Sequence, residues 1–326
     1  MKVLYIGGTG QISFDCIHQT VKAGHEVTVF NRGNHNASLP ESVGFITGDF
    51  TDDRQYAQIL EHDFDVICQF RVFTPAEMKR DLEMLQGKNL QYIFISTASA
   101  YHRPVQHFPI TEKTPLHNPF SPYSSQKIDC EKLLQSQRSL GYTIVRPSHT
   151  SRTMFTTAMV EGDFAVSRIL RDKPVIVPGD GTSLWTITAA EEFAVPFTRL
   201  IGNRQALGDY FHLTSDNYYS WNEIYTTLGR ALGKETRLVH VPSDTLIRYC
   251  PDWQWALHGD KTHTAIFDNS KIKNVVGDFA CKTTLDEFML RRATLYRDSG
   301  RVDQAIDTKQ EALFDRIIRE QNALGG

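Results

Sequence analysis

The sequence predicts an α/β protein: a doubly wound parallel sheet followed by a smaller mixed α/β region. Three observations point there. Short apolar runs alternate with helical patterns through the first 150 residues of the 326-residue chain, a glycine-rich turn follows the first apolar run, and the alternation loosens in the second half. Strands alternating with helices at this spacing pair in parallel and are covered on both faces. Such sheets bind ligands at the carboxyl ends of their strands.

Taken in order, Lys2 to Ile6 is expected as a buried strand and Phe14 to Ala23 as a helix. Glu26 to Phe30 and Gly44 to Ile46 are expected as strands, Arg54 to Leu60 as a helix and Asp65 to Gln69 as a strand. Ala76 to Leu85 reads as a helix, Gln91 to Ser96 as a strand, Pro122 to Gln137 as a helix and Tyr142 to Val145 as a strand. Beyond residue 150, Pro174 to Val177 and Tyr210 to Leu213 read as strands and Trp221 to Leu232 as a helix. The domains are placed at 1–170 and 171–326, with about 205–235 a candidate to return to the first because Tyr210 to Leu213 suits its sheet. Val302, Ile306, Leu313 and Ile317 recur at roughly helical spacing, which suits a tail helix packed on its own body.

Composition narrows the function classes. With 40% apolar residues the chain can bury a sizeable core, and 35 basic against 38 acidic residues leave a net charge of −3. That balance disfavours nucleic acid and anionic membrane as partners. No run reaches the roughly 18 apolar residues a membrane span needs, and no signal-peptide core precedes Gly7. The five scattered cysteines suit neither a disulfide framework nor zinc. His102 with His107, and His258 with His263, lack metal-ligand spacing, so no metal is expected. A soluble cytoplasmic protein follows.

The first strand runs into Gly7-Gly8-Thr9-Gly10-Gln11-Ile12-Ser13. A turn of this kind lets the backbone approach a pyrophosphate at a helix amino terminus, as in a Rossmann dinucleotide-binding fold. Ser13 stands where a third glycine is usual. The second strand ends in Asn31-Arg32-Gly33, without the carboxylate that would hold an adenosine ribose and repel a 2′-phosphate. A guanidinium suits that phosphate, so NADP is favoured over NAD.

Ser121-Pro122-Tyr123-Ser124-Ser125-Gln126-Lys127 carries the chemistry. Ser121 is a good helix cap and Pro122 a good first helical residue. Tyr123 and Lys127 then share one helical face. Lys127 and the helix terminus are expected to lower the pKa of Tyr123 towards neutrality, readying the phenol to exchange a proton during hydride transfer. Thr97, with Ser96 and Ser99 beside it, lies at a strand end where a hydroxyl could hold the reacting oxygen.

The glycine turn, Thr97, Tyr123 and Lys127 together resemble the motifs of the extended short-chain dehydrogenase/reductases, within the NAD-dependent epimerase/dehydratase superfamily. Gly48-Asp49-Phe50, Arg146-Pro147, Pro178 to Thr182 and Ser220 to Glu223 extend the resemblance over about residues 1–295. It implies adenine contacts from Asp49 and Phe50, cofactor contacts from Thr9, Gln11, Ile12 and Pro147, and a nicotinamide-ribose contact from Lys127. It further implies a substrate domain in the second half and a homodimer.

The departures bear on substrate. Trp185 stands where sugar-nucleotide epimerases of the family carry a diphosphate-clamping arginine, and Ala256-Leu257-His258 replace a second arginine. Ser148 and His149 replace the asparagine after Arg-Pro, and Cys68-Gln69-Phe70-Arg71 replaces a small Ala-Gly pair, crowding the nicotinamide side. Arg152, Arg168 and Lys261 are possible substitute clamps. Ser99, His149 and Trp185 are the candidate substrate contacts, His149 being either a pocket wall or a second acid/base group. The favoured function is an NAD(P)-dependent oxidoreductase acting on a secondary alcohol or carbonyl. The alternatives are an epimerase or dehydratase retaining NAD, and a nucleotide-sensing or RNA-binding protein; the Asn31-Arg32-Gly33 turn and Ser13 also resemble a branch that contacts RNA.

Overall fold

The structure, a computed structural model, describes residues 1–137, 139–160, 162–301 and 307–324. The first half runs β1 (Lys2–Ile6), α1 (Ser13–Lys22), β2 (Glu26–Asn31), β3 (Gly44–Thr47), α2 (Asp53–Tyr56), β4 (Val66–Gln69), α3 (Pro75–Met84), β5 (Gln91–Ile95), α4 (Pro122–Gln135) and β6 (Gly141–Pro147). The second continues through β7 (Thr150–Ser151), α5 (Phe164–Leu170), β8 (Val175–Pro178), β9 (Leu184–Thr186), β10 (Thr188–Ala189), α6 (Ala190–Thr198) and β11 (Asp209–Leu213). It closes with β12 (Tyr218–Ser220), α7 (Trp221–Leu232), β13 (Leu238–Val241), α8 (Ser243–Tyr249), α9 (Gln254–Ala256), α10 (Ser270–Val276), α11 (Leu285–Asp298) and α12 (Thr308–Leu324).

Seven parallel strands form the main sheet in the order β11-β6-β5-β4-β1-β2-β3. The order reverses after β1, so a crevice opens at the carboxyl ends of β1 and β4. One face of the sheet is covered by α1, α6 and α10, with Phe14, Ile17, Phe193, Phe197 and Ile272 buried there. Met78 of α3 and Cys130 and Leu134 of α4 help to cover the other. The stretch expected as one helix over Arg54 to Leu60 is a single α-turn that tightens at Ala57–Glu61, its Asp52 side chain accepting from the Arg54 and Gln55 amides.

The chain returns to the first half at α6 and, within the 205–235 segment, to its sheet at β11. Phe193, Ala194 and Phe197 of α6 pack on α1, and β11 pairs with β6 through Asp209↔Thr143 to Leu213↔Pro147. By contrast α7 buries Trp221, Ile224, Tyr225 and Leu228 against Phe288 and Met289 of α11, in a separate core. The tail helix α12 adds Phe314, Ile317 and Ile318 to a third cluster with Met159, Ile176 and Leu257, and Leu313 packs at its edge. Val302 and Ile306 of the expected stripe lie outside the described residues. Arg168 is fully buried and bonded to the tail, 3.1 Å from Glu311 and 2.8 Å from Asp315. It is thereby spent on fastening α12 and is not a substrate clamp. Among the described residues, no helix is long and apolar enough to cross a membrane.

Candidate active site

A cavity of about 830 Å³ opens at the crevice. Gly7 has φ +81°, and a Cβ there would fall 2.6 Å from Cγ of Arg71. A Cβ on Gly8 would fall 2.6 Å from Val29 and 2.7 Å from Ile17. Gly8 thus meets the close strand–helix packing need that the third glycine usually meets. Ser13 in that third place is buried, and its Oγ accepts from the Gly10 amide at 3.1 Å. No side chain caps α1 at Ile12, so the helix presents amides and a positive terminus to an anion. The Gln11 side chain braces the turn: its Oε1 accepts from the Thr153 amide at 2.9 Å, tying the loop to residues 152–154.

Asn31, Arg32, Asp49 and Phe50 line the far end of this cavity. The Asn31 side chain shapes the turn, accepting from the Gly33 amide at 2.8 Å and donating to Asn36 at 2.7 Å. Arg32 is left exposed. The Asp49 carboxylate accepts from Thr51 twice at 2.8 Å, and those bonds, then Arg32 and Arg71, hold its pKa below the usual carboxylate range. Arg71, which the spacing rules did not single out as a binding residue, lays its stem along Gly7 and lines the same cavity. Its amide donates to Gln69 Oε1 at 2.8 Å, and Gln69 Nε2 donates to buried Asp81 at 2.5 Å. A glycine turn closed to side chains, an uncapped helix and two guanidiniums fit a dinucleotide.

Thr97, Tyr123, Lys127 and Pro147 line the near end. Ser121 caps α4, its Oγ accepting from the Ser124 amide at 3.2 Å, and Pro122 opens the helix as expected. A chain of hydroxyls then joins strand to helix. Thr97 Oγ1 lies 2.9 Å from Ser99 Oγ, which lies 2.8 Å from Ser124 Oγ. Asn118 Nδ2 spans the same region, donating to Ser99 O at 2.8 Å and Gly259 O at 2.7 Å. Beneath them Arg146 grips Glu131 at 3.0 and 2.5 Å, and Glu131 also accepts from Ser96.

One electrostatic expectation is overturned. Burial pushes the Tyr123 phenol up to about 12, against a lowering hydrogen bond from Thr97. Lys127 does not reverse this, because its Nζ donates instead to Val72 O at 2.5 Å and Ile95 O at 2.8 Å. Lying also over the rings of Phe73 and Phe94, the ammonium is buried enough for its pKa to fall to about 8.

A second cavity, of about 500 Å³, shares Thr97, Tyr123, Pro147, Ser148 and His149 with the first. Ser99 and His149 line it as expected. Trp185 does not: it is 1% exposed, packed 5.0 Å from Trp221 in the second core and 4.9 Å behind His149. Its strand turns the indole inward, so position in a motif did not carry function here. Of the substitute clamps Lys261 lines this cavity, whereas Arg152 stacks on Phe14, 3.5 Å from the ring centroid. Arg103, Asp260, Trp253 and Trp255 complete much of the lining, and of these Arg103 carried no motif signal. Among the described residues, no group of three or more His, Cys, Asp or Glu could hold a metal ion.

The chain is similar to known proteins. A reductase of 2′-dehydrokanamycin from Streptomyces kanamyceticus is 24% identical over 250 residues, covering 75% of this chain and 70% of the relative. The chloroplast stem-loop binding protein of 41 kDa b from Arabidopsis thaliana is 26% identical over 254 residues, covering 73% and 65%. In fold, UDP-glucose 4-epimerase from Bifidobacterium longum, solved with NAD+ and UDP, superposes with a TM-score of 0.73 at 18% identity, covering 93% of this chain and all of that one. Residues 3–211 match the NAD dependent epimerase/dehydratase family. With its seven-stranded Rossmann sheet, glycine turn and Tyr123–Lys127 pair, the chain belongs to that family, as a dinucleotide-dependent enzyme of the oxidoreductase or epimerase type.

Proposed function

We propose that the protein exchanges hydride between NADP(H) and a carbonyl or secondary-alcohol substrate. The observation that carries this reading is the convergence of two cavities on Thr97 and Tyr123, one framed by the glycine turn and the other by side chains of both halves. When bound, the nicotinamide would supply or take the hydride. Tyr123 gives its phenol proton to the carbonyl oxygen in the reducing direction. Thr97 donates a hydrogen bond to the same oxygen, and the Ser99–Ser124 chain keeps its hydroxyl in place. Lys127 brings positive charge to that wall from its anchorage on Val72 and Ile95.

The cofactor preference rests on Arg32 and on Asp49 being engaged by Thr51. Gly7, Thr9, Gly10, Gln11 and Ile12 would hold the pyrophosphate, and Phe50 would face the adenine. A cytoplasmic homodimer completes the proposal, drawn from composition and from the family resemblance; sedimentation of the purified protein tests the assembly. The test of function is NADPH oxidation against a panel of aldehydes and ketones. Turnover that disappears in Tyr123→Phe supports the reading, and turnover unchanged in that variant overturns the proton-transfer role. A second reading, an epimerase or dehydratase that retains NAD, is favoured by the NAD+ held in the Bifidobacterium relative.

A further inference from the structure

A buried amide behind the second cavity joins its two sides. Asn118 is 2% exposed and is not among the residues that line either cavity. Its Nδ2 donates to Ser99 O at 2.8 Å and to Gly259 O at 2.7 Å, which occupies both protons of the amide. Its Oδ1 accepts from the Phe120 amide at 3.3 Å. Ser99 stands two residues after Thr97, and Ser124, whose Oγ is 3.5 Å from the same nitrogen, follows Tyr123 directly. Gly259 lies in the turn Leu257–Lys261 of the second half. One side chain thus touches the neighbours of both reacting hydroxyls and a turn 141 residues further on.

That turn is a wall of the second cavity, through Leu257, Asp260 and Lys261. It is wound wide, as a π-type turn, an irregularity that recurs at functional sites. The second half holds it by the backbone: Trp221 Nε1 donates to Lys261 O at 3.0 Å, and Ser183 Oγ donates to Thr262 O at 2.8 Å. Its approach to the first half is close. A Cβ on Gly259 would fall 3.3 Å from Cβ of Ser121, which caps α4, and 3.5 Å from Asn118 Oδ1. Glycine therefore lets the turn settle on the start of α4, and Asn118 fixes it there. Arg103 adds a longer tie, 3.3 Å from Asp260.

We propose that Asn118 is a positioning residue: from behind the cavity it sets the height of the Leu257–Lys261 turn over Thr97 and Tyr123, and with it the distance between a bound substrate and the reacting hydroxyls. The inference rests on hydride exchange at Tyr123 and adds a residue that touches neither substrate nor cofactor. Small displacements matter here, because a shift of about 1 Å at the reacting atoms can cost about 10²-fold in rate.

Hydrogen exchange on the full-length protein saturated with NADP+ tests it. In Asn118→Ala, amide exchange over residues 257–263 should rise at least tenfold, while α7 and the glycine turn stay within twofold. Asn118→Asp keeps the shape but turns a carboxylate towards two carbonyl oxygens. Its protection of 257–263 should be lost at about pH 8 and partly return at about pH 5, where a carboxyl whose pKa burial raises is protonated and donates again. Asn118→Ala should show no such return, so the pH profile separates the hydrogen bond from simple loss of packing. Gly259→Ala, which pushes the turn off α4, should give the same local rise, and combining it with Asn118→Ala should add less than the two rises together. For any carbonyl turned over, Asn118→Ala should lower kcat/KM at least tenfold and leave the NADPH dissociation constant within twofold. Unchanged exchange at 257–263, a rise spread over the whole chain, identical pH behaviour of the Ala and Asp variants, or an unchanged carbonyl kcat/KM overturns the proposal. Because exchange is read without turnover, the expected pattern in a protein that reduces no carbonyl would sink the oxidoreductase reading alone.

Discussion

The two cavities that meet at Tyr123 treat charge in opposite ways. In the dinucleotide groove the cations Arg32 and Arg71 are exposed on loops, after β2 and β4. In the second cavity Arg103 and Lys261 are buried beside Asp260. An exposed cation can meet a mobile phosphate at little cost in desolvation, and salt screens it. A buried cation is held in one geometry and is expensive to leave unmatched. Under the proposed function the groove holds a cofactor that comes and goes, and the second cavity receives the substrate.

The contrast can be broken first at the point both cavities share. Tyr123→Phe removes the proton without removing the ring, so carbonyl reduction should fall by about 10³-fold. The dissociation constant for NADP+ should stay within about twofold, a prediction resting on the hydroxyl's distance from the phosphate-binding glycines. Stopped-flow turnover and fluorescence titration read the two quantities separately; parallel losses would mean that the groove itself had been disturbed.

Within the groove, the two arginines should part company. Losing a charge-assisted phosphate contact at Arg32→Ala should weaken NADPH about tenfold and NADH hardly at all. Arg71→Ala, against the glycine turn, should weaken both dinucleotides alike. Equal losses in Arg32→Ala would remove the 2′-phosphate role. A buried group behind the groove gives a smaller effect. Burial raises the Asp81 carboxyl to about 6 despite hydrogen bonds from Tyr92 and Gln69. A folded-state pKa raised above the unfolded value means that stability falls as pH rises from about 4 through 6. Asp81→Asn should flatten that part of the stability curve by at most about 3 kcal/mol; an unchanged slope in urea titrations would show that Asp81 does not titrate there. Smallest of all, salt should act on the groove: between about 50 and 500 mM, NADPH affinity should drop several-fold.

Much of this contrast was legible in the residues themselves, though unevenly. Apolar runs placed the sheet strands because local pattern and burial agree there, and Ser121-Pro122 marked the start of α4 because capping is a local property. The glycine turn was legible too, although its third role moved from position 13 to Gly8, which only packing on Val29 and Ile17 reveals. The electrostatics were not legible. Tyr123 and Lys127 stand one turn apart, yet the ammonium answers to carbonyls 55 and 32 residues away. Arg168 reads in sequence as an available cation and is a buried anchor for a helix 147 residues further on. Trp185 occupies a functional position in a motif and is core. In each case a long-range contact decides, and spacing carries no record of it.

Whether the groove holds an exchangeable NADP(H), as proposed, is read in freshly purified protein. Denaturing that protein and identifying the released nucleotide by mass spectrometry gives the answer in one step. An empty protein, or one carrying NADP(H), is expected. Stoichiometric NAD would contradict it, and would make the protein an epimerase or dehydratase that keeps its cofactor through each turnover.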